Sequence, residues 1–443
     1  MAGEDFSLLE DTVKECTKAK FKFGDFFKKM EKAFTELGFR ENTGGGVDNI
    51  LILRTHGEVS EFPLTVPAIR EIRRNFPFAC IDLVVDERMY PLAERCPYVN
   101  RVINSEELKA CFKGKKAPEA IRSVVDFAKK NFWSRRYSLA FDFRVTPSAP
   151  GDISAYMSGA KERVGYVKKL YELYENEFDD EYKNPSYGYL THPALLPKNI
   201  IHEVEKYLYL LKVYGLQVHS RNIELWYDYS ELYQAKEILK DFAPGKIKIA
   251  LGIDSFRGEN KYPTRKYLQA LEQIIDKGAA VIIFGRDRVT EGATMIQESL
   301  PTESVLNLVE MQLEPRVEAA MISQCDMYIG NLSGIYNIAV ACQLPTIAVS
   351  CEAKNRNAKF NFISNYYRQF PWQTRAVVIR PKFPKDVCTE IVNEWVSSSC
   401  NNNGQMHCIT QIKPEEIVVA YDKVTNLIGS MQRSKTPLKF FVM

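Results

Sequence analysis

Unbroken apolar runs of strand length alternate with helical stretches twice along this chain. Runs of that kind belong to parallel strands buried on both faces, so the alternation restricts the fold to open sheets covered by helices. The first series holds residues 50–54 (ILILR), 81–85, 102–103 and 139–143 (LAFDF) as strands. Helices are predicted between them over 67–75 (PAIREIRRN) and 117–131. After the Pro244-Gly245 turn a second series begins with strand 247–251 (IKIAL), helix 265–276, strand 280–284 and helix 315–324. It ends in the most informative stretch, 326–349 (DMYIGNLSGIYNIAVACQLPTIAV). There a strand is expected over 327–329, broken by Gly330 and Asn331. A small-residue helix then opens at Ser333-Gly334 and stops near Pro345, before another strand.

The expected fold class is therefore α/β, with two Rossmann-like, doubly wound domains. At 443 residues the chain exceeds one ordinary core. Residues 1–48 read as an N-terminal helical extension, with Phe23, Phe26, Phe27, Met30, Phe34 and Leu37 near helical spacing. The first α/β domain is assigned to 49–215 and the second to 216–380. A C-terminal helical tail with a cysteine cluster fills 381–443, with a final helix expected over 414–428. Residues 167–200, rich in Tyr, Glu, Asp and Lys, read as an insertion whose Tyr171, Tyr174, Tyr182, Tyr187 and Tyr189 either stack on a sugar or pack.

The net charge of +3 gives no argument for nucleic acid. The N-terminus lacks the apolar core of a signal peptide, and no apolar run is long enough to span a membrane. Ten scattered cysteines fit reduced thiols, and a cytoplasmic location is expected.

Ligands of open α/β sheets sit outside the carboxyl ends of the strands, so the residues following each strand matter most. Ser333-Gly334, a hydroxyl and a glycine at a helix N-terminus, suits a phosphate; such a turn also serves simple capping. Arg257 and Lys261 after the 247–251 strand, and Arg286 after 280–284, supply cations for a diphosphate. Glu58 and Glu61 follow the first strand and are candidate general bases; a solvated loop is the plainer alternative. Arg144 and Arg163 offer forked donors for a carboxylate or phosphate. No HExxH, Walker A or GxGxxG motif is present.

These pieces resemble glycosyltransferase family 9, the ADP-heptose:lipopolysaccharide heptosyltransferases and their relatives. The resemblance covers roughly residues 49–430 and rests on six segments in order. They are PAIREIRRNFP (67–77) followed by IDLVV, CPYVNRVI (96–103), GAKERVGY (159–166), KYP (261–263), NLSGIYN (331–337) and HCITQIKPEEI (407–417). It implies a GT-B fold, with two domains facing a cleft, and sugar transfer from a nucleotide diphosphate to an acceptor hydroxyl without a required metal. The donor implied is a nucleotide-sugar, an ADP-sugar first. The acceptor implied is a glycan, lipid-linked glycan or protein, with contact at the inner membrane face and a place in lipopolysaccharide biosynthesis.

By position, Glu61 matches the family's base, while Lys261, Ser333, Gly334 and Asn337 fall in its donor motifs. The chain departs where the family has Asp before Thr-Gly, here Leu332, and where it has His, here Asn337. Those departures leave open a different donor, or a GT-B-like binding or scaffold protein with altered or lost catalysis. A nucleotide-sugar epimerase of the same shape has no supporting motif. Some relatives bind iron through C-terminal cysteines, which directs attention to Cys388, Cys400, His407 and Cys408. Their spacing is not C-x-x-C, and structural thiols are the expectation.

Overall fold

The computed structural model describes residues 5–18, 21–41, 47–146, 148–167, 189–254, 261–286, 289–350, 365–371, 373–381 and 407–432. Two compact units emerge from the packing. The first holds residues 1–58, 67–200 and 204–221; the second holds 59–66, 201–203 and 222–443.

The first unit is built on a six-stranded sheet of β1 (Asn49–Arg54), β2 (Cys80–Val85), β3 (Arg101–Asn104), β4 (Leu139–Asp142), β5 (Glu162–Tyr166) and β6 (His192–Ala194). Their spatial order is β3-β2-β1-β4-β5-β6, and every neighbouring pair is parallel. The order reverses between β1 and β4, where Leu53 faces Asp142.

The N-terminal helices Ser7–Cys16 and Phe23–Glu36 are part of this unit's core. Phe26, Met30 and Phe34 are completely buried. The Phe27 and Phe34 rings meet Tyr156 edge-on at 4.8 and 5.9 Å, and Phe6 meets Trp133 at 5.5 Å. Tyr189 packs in the same cluster, its ring 4.4 Å from Phe27, so this tyrosine of the 167–200 segment is a packing residue. Tyr171, Tyr174, Tyr182 and Tyr187 lie outside the described residues.

The second unit repeats the design with β7 (Ile247–Gly252), β8 (Ala279–Phe284), β9 (Val305–Asn307), β10 (Met327–Asn331), β11 (Thr346–Val349) and β12 (Ala376–Ile379). The order is β12-β11-β10-β7-β8-β9, again all parallel, and it reverses between β7 and β10. The helix Pro414–Gln432 packs on the Thr264–Asp276 helix and on β11 and β12, burying Ile417, Tyr421 and Val424.

Two local expectations are corrected. The helix expected over 67–75 begins five residues earlier, as Phe62–Asn75, and carries Pro67 inside it. The strand expected to break at Gly330 and Asn331 runs through both. Gly330 pairs with Gly252, and Asn331 with Val349, on opposite sides of β10. The glycine is required by close approach: a Cβ on Gly330 would collide with the Gly252 carbonyl and, at 2.5 Å, with the Tyr328 hydroxyl. Asn331 stays in the strand because its side chain is fully used. Its Oδ1 accepts from the Tyr262 amide and the Tyr267 hydroxyl, each at 3.0 Å. Its Nδ2 donates to the carbonyls of Ile253 at 2.9 Å and Asp254 at 3.2 Å.

Gly330→Ala forces β7 and β10 apart and should cost about 1–3 kcal/mol. Urea denaturation monitored by far-UV circular dichroism measures it; an unchanged midpoint would show that the two strands tolerate the methyl group.

Candidate active site

The carboxyl end of β10 leads directly into the Gly334–Ala341 helix, and Ser333 is the N-cap residue. Its backbone is extended, as capping requires, but its hydroxyl makes no cap bond. The Oγ is shielded from solvent and meets no partner in hydrogen-bond geometry among the described residues, although the Tyr328 hydroxyl lies close by. Tyr328 donates instead to the Asn331 carbonyl at 2.7 Å. A buried hydroxyl without a partner, beside the free amides of a helix N-terminus, is a site that an anionic oxygen would complete. It lies at the reversal of strand order, where this class of sheet binds ligands.

Lys261 is brought to the same edge. It is half-buried, and the next residue, Tyr262, is completely buried with its amide on Asn331. Tyr262 is also tied below, its hydroxyl donating to the Ile412 carbonyl at 3.0 Å. Arg257 lies outside the described residues. Arg286 follows β8 and donates through Nη2 to the Glu318 carboxylate at 2.8 Å. Burial lifts the Glu318 carboxyl to about 7, with Arg286 opposing that rise. Asn337 lies one turn inside the helix, 2% exposed, with its Nδ2 3.5 Å from the Gln369 Oε1. Leu332, which departs from the acidic residue of the resembled family, is buried.

Glu61 ends the short helical turn Val59–Glu61, which packs against the Gly334–Ala341 helix within the second unit. It therefore shares a unit with Ser333 and Lys261. Glu58 belongs to the first unit and is committed to Arg88, which also binds Asp86 at 2.9 Å.

In the first unit, the reversal between β1 and β4 gathers three charges. Arg54 ends β1, buried, with its guanidinium donating to the His56 carbonyl and lying 5.3 Å from the Tyr207 ring centre. Asp142 ends β4 and is 3% exposed; its Oδ1 accepts from the Arg144 amide at 3.0 Å. Gly151 leaves room for this carboxylate, since a Cβ there would lie 2.5 Å from Oδ2. Burial pushes the Asp142 carboxyl up to about 6, despite the Arg144 amide and the Arg144 and Arg54 charges. The Arg144 Nε is buried and has no hydrogen-bond partner among the described residues.

Arg163 is placed elsewhere, and the expectation for it is corrected. It is the second residue of β5, so it lies toward the amino edge of the sheet, opposite the ligand edge. Its guanidinium donates to the carbonyls of Tyr189 at 2.5 Å and Ala160 at 2.6 Å and lies 5.3 Å from the Tyr156 ring centre. Burial pushes its pKa down to about 10. It is a structural rivet of the N-terminal core.

Cys388 and Cys400 lie outside the described residues, as do the side chains of His407 and Cys408. Among the described residues no group of His, Cys, Asp and Glu is arranged to hold a metal ion. Asp142 and Glu318 are the site-edge carboxylates that sequence reading missed. Asp142 was visible as the one charge within LAFDF, while Glu318 resembles any solvent-facing helix residue until its burial is known.

A carboxyl raised by folding binds protons in the native state that the unfolded chain has released. Its contribution therefore falls as pH rises from about 3.8 to about 6 for Asp142. Asp142→Asn removes that linkage. Its stability relative to wild type should improve by about 3 kcal/mol across this window and stay level above it. Paired denaturation curves at several pH values test this; a pH-independent difference would place the Asp142 pKa near its ordinary value.

A family model described as glycosyltransferase family 9 (heptosyltransferase) matches residues 183–394. Lipopolysaccharide heptosyltransferase 2 of Escherichia coli (strain K12) is 21% identical over 303 residues, spanning 66% of this chain and 79% of that protein. The solved glycosyl transferase family 9 protein of Veillonella parvula DSM 2008 superposes with a TM-score of 0.64 at 16% identity, over 85% of this chain and 97% of that one. E. coli ADP-heptose lipopolysaccharide heptosyltransferase II gives 0.59 at 18% identity, over 85% and 98%. An E. coli heptosyltransferase solved with ADP gives 0.56 at 14% identity, over 85% and 99%. Each of the two parallel sheets has the fold seen in these structures, and over residues 183–394 this chain is similar to glycosyltransferase family 9.

Proposed function

We propose that this protein moves a heptose or related sugar from a nucleoside diphosphate, an ADP-sugar first, to a hydroxyl of a glycan, a lipid-linked glycan or a protein. The observation that carries the donor assignment is the Ser333 hydroxyl, shielded from solvent and without a partner in hydrogen-bond geometry among the described residues, at a helix N-terminus on the strand-order reversal of the second sheet. The ADP found with one of the E. coli relatives supports adenine as the base.

The roles follow from charge and position. Ser333, Gly334 and the helix amides receive the diphosphate, with Lys261, Arg257 and Arg286 as its cations and Asn337 behind them. The bond between the anomeric carbon and the diphosphate oxygen breaks, and the leaving group's growing charge is met by these donors. Glu61 takes the proton from the acceptor hydroxyl as its oxygen bonds to the anomeric carbon. Arg144, whose amide is held by Asp142, offers its Nε to an anionic acceptor group. No helix among the described residues is long and apolar enough to cross a membrane. Work from the cytoplasm at the inner membrane face is the matching setting for a lipid-linked acceptor.

Thermal denaturation with ADP, GDP and UDP tests the donor. A nucleotide at about 100 times its Kd should stabilise the fold by about 2.7 kcal/mol, and ADP is expected to act most strongly. No shift with any of the three would sink the assignment and favour a binding or scaffold role. Glu61→Gln should lower turnover by about 100-fold or more while ADP affinity stays near wild type. Unchanged turnover would remove Glu61 from the mechanism.

A further inference from the structure

Glu318 is a buried charge that neither the fold nor the proposed chemistry has so far used. It is the fourth residue of the Pro315–Ser323 helix and is 3% exposed. Its ion-pair partner among the described residues is Arg286, whose side chain remains 39% exposed. The buried Asp254, just beyond β7, faces the same carboxylate and repels its negative form. The helix itself is anchored from its other side, where Arg316 meets Glu231 at 2.6 Å.

Burying a carboxylate costs several kcal/mol, and a half-exposed arginine returns little of that as stability. What the pair does provide is direction. A solvent-facing arginine samples many rotamers, whereas Arg286 is held through Nη2 and, among the described residues, keeps 39% of its side chain exposed for a ligand. Arg286 follows β8, and β8 is separated from β10 by β7 alone. Two strand spacings amount to about 9.6 Å. That is within reach of one nucleoside diphosphate whose phosphates rest at Ser333-Gly334.

We propose that Glu318 is a positioning residue that aims Arg286 at the nucleotide donor along the carboxyl edge of the second sheet. This rests on the donor assignment above. Arg286 makes the contact; Glu318 bonds Arg286 and acts through it.

The test is ADP affinity by calorimetry, with donor KM and kcat, for wild type, Arg286→Gln, Glu318→Gln and the double variant. Each single variant should weaken ADP binding about tenfold, and the double variant should lose no more than either. The loss should fall on donor KM rather than on kcat. Wild-type affinity in folded Glu318→Gln, or losses that add in the double variant, would overturn the proposal. Arg286→Gln changes a half-exposed residue, so it reads the contact even if Glu318→Gln folds poorly; undiminished affinity there also overturns it. Failure of the wild type to bind ADP, GDP or UDP would instead remove the donor assignment, and this inference with it.

Discussion

The second unit depends on four hydrogen bonds made by one buried amide. Asn331 ties the end of β10 to the carbonyls that follow β7 and to two tyrosines, Tyr262 just before the next helix and Tyr267 in its first turn. Each polar atom of the side chain is used, so its burial carries no desolvation deficit. The bonds also fix three separate stretches of chain within a few residues of Ser333. Lys261 and the helix N-terminus converge because of that amide, which makes Asn331 a builder of the site rather than a ligand.

Both sheets place an under-neutralised carboxylate beside an arginine at their carboxyl edges. Asp142 is pushed to about 6 and Glu318 to about 7, in each case because burial outweighs the neighbouring cation. Such groups are poor stabilisers, and their recurrence at ligand edges is what a binding surface produces. Glu58 and Arg163 show the contrast. Glu58 pairs with Arg88 and Arg163 bonds the carbonyls of Tyr189 and Ala160, and those contacts serve the fold.

Most of the architecture was legible because buried parallel strands announce themselves as short apolar runs. β1, β2, β4, β7 and β8 were located within a residue or so of their bounds. β5, β6, β9 and β12 were not: each has five residues or fewer, and β6, β9 and β12 are edge strands. Gly330 and Asn331 look like strand breakers by local preference; a close strand contact and a saturated amide override that preference. The Ser333-Gly334 turn was readable from chemistry alone. The Arg286–Glu318 pair was not, because it joins residues on a loop and a helix that only tertiary packing brings together.

The N-terminal helices carry a practical consequence. Trp133 and Tyr156 belong to the first α/β unit, yet Phe6, Phe27 and Phe34 cover their rings. Arg40 continues the seal, donating to the carbonyls of Gly159 and Ala160. A recombinant fragment trimmed to the first strand would retain every sheet residue and still expose a broad aromatic face. Self-association during expression would follow from that trimming, whatever the state of the catalytic residues.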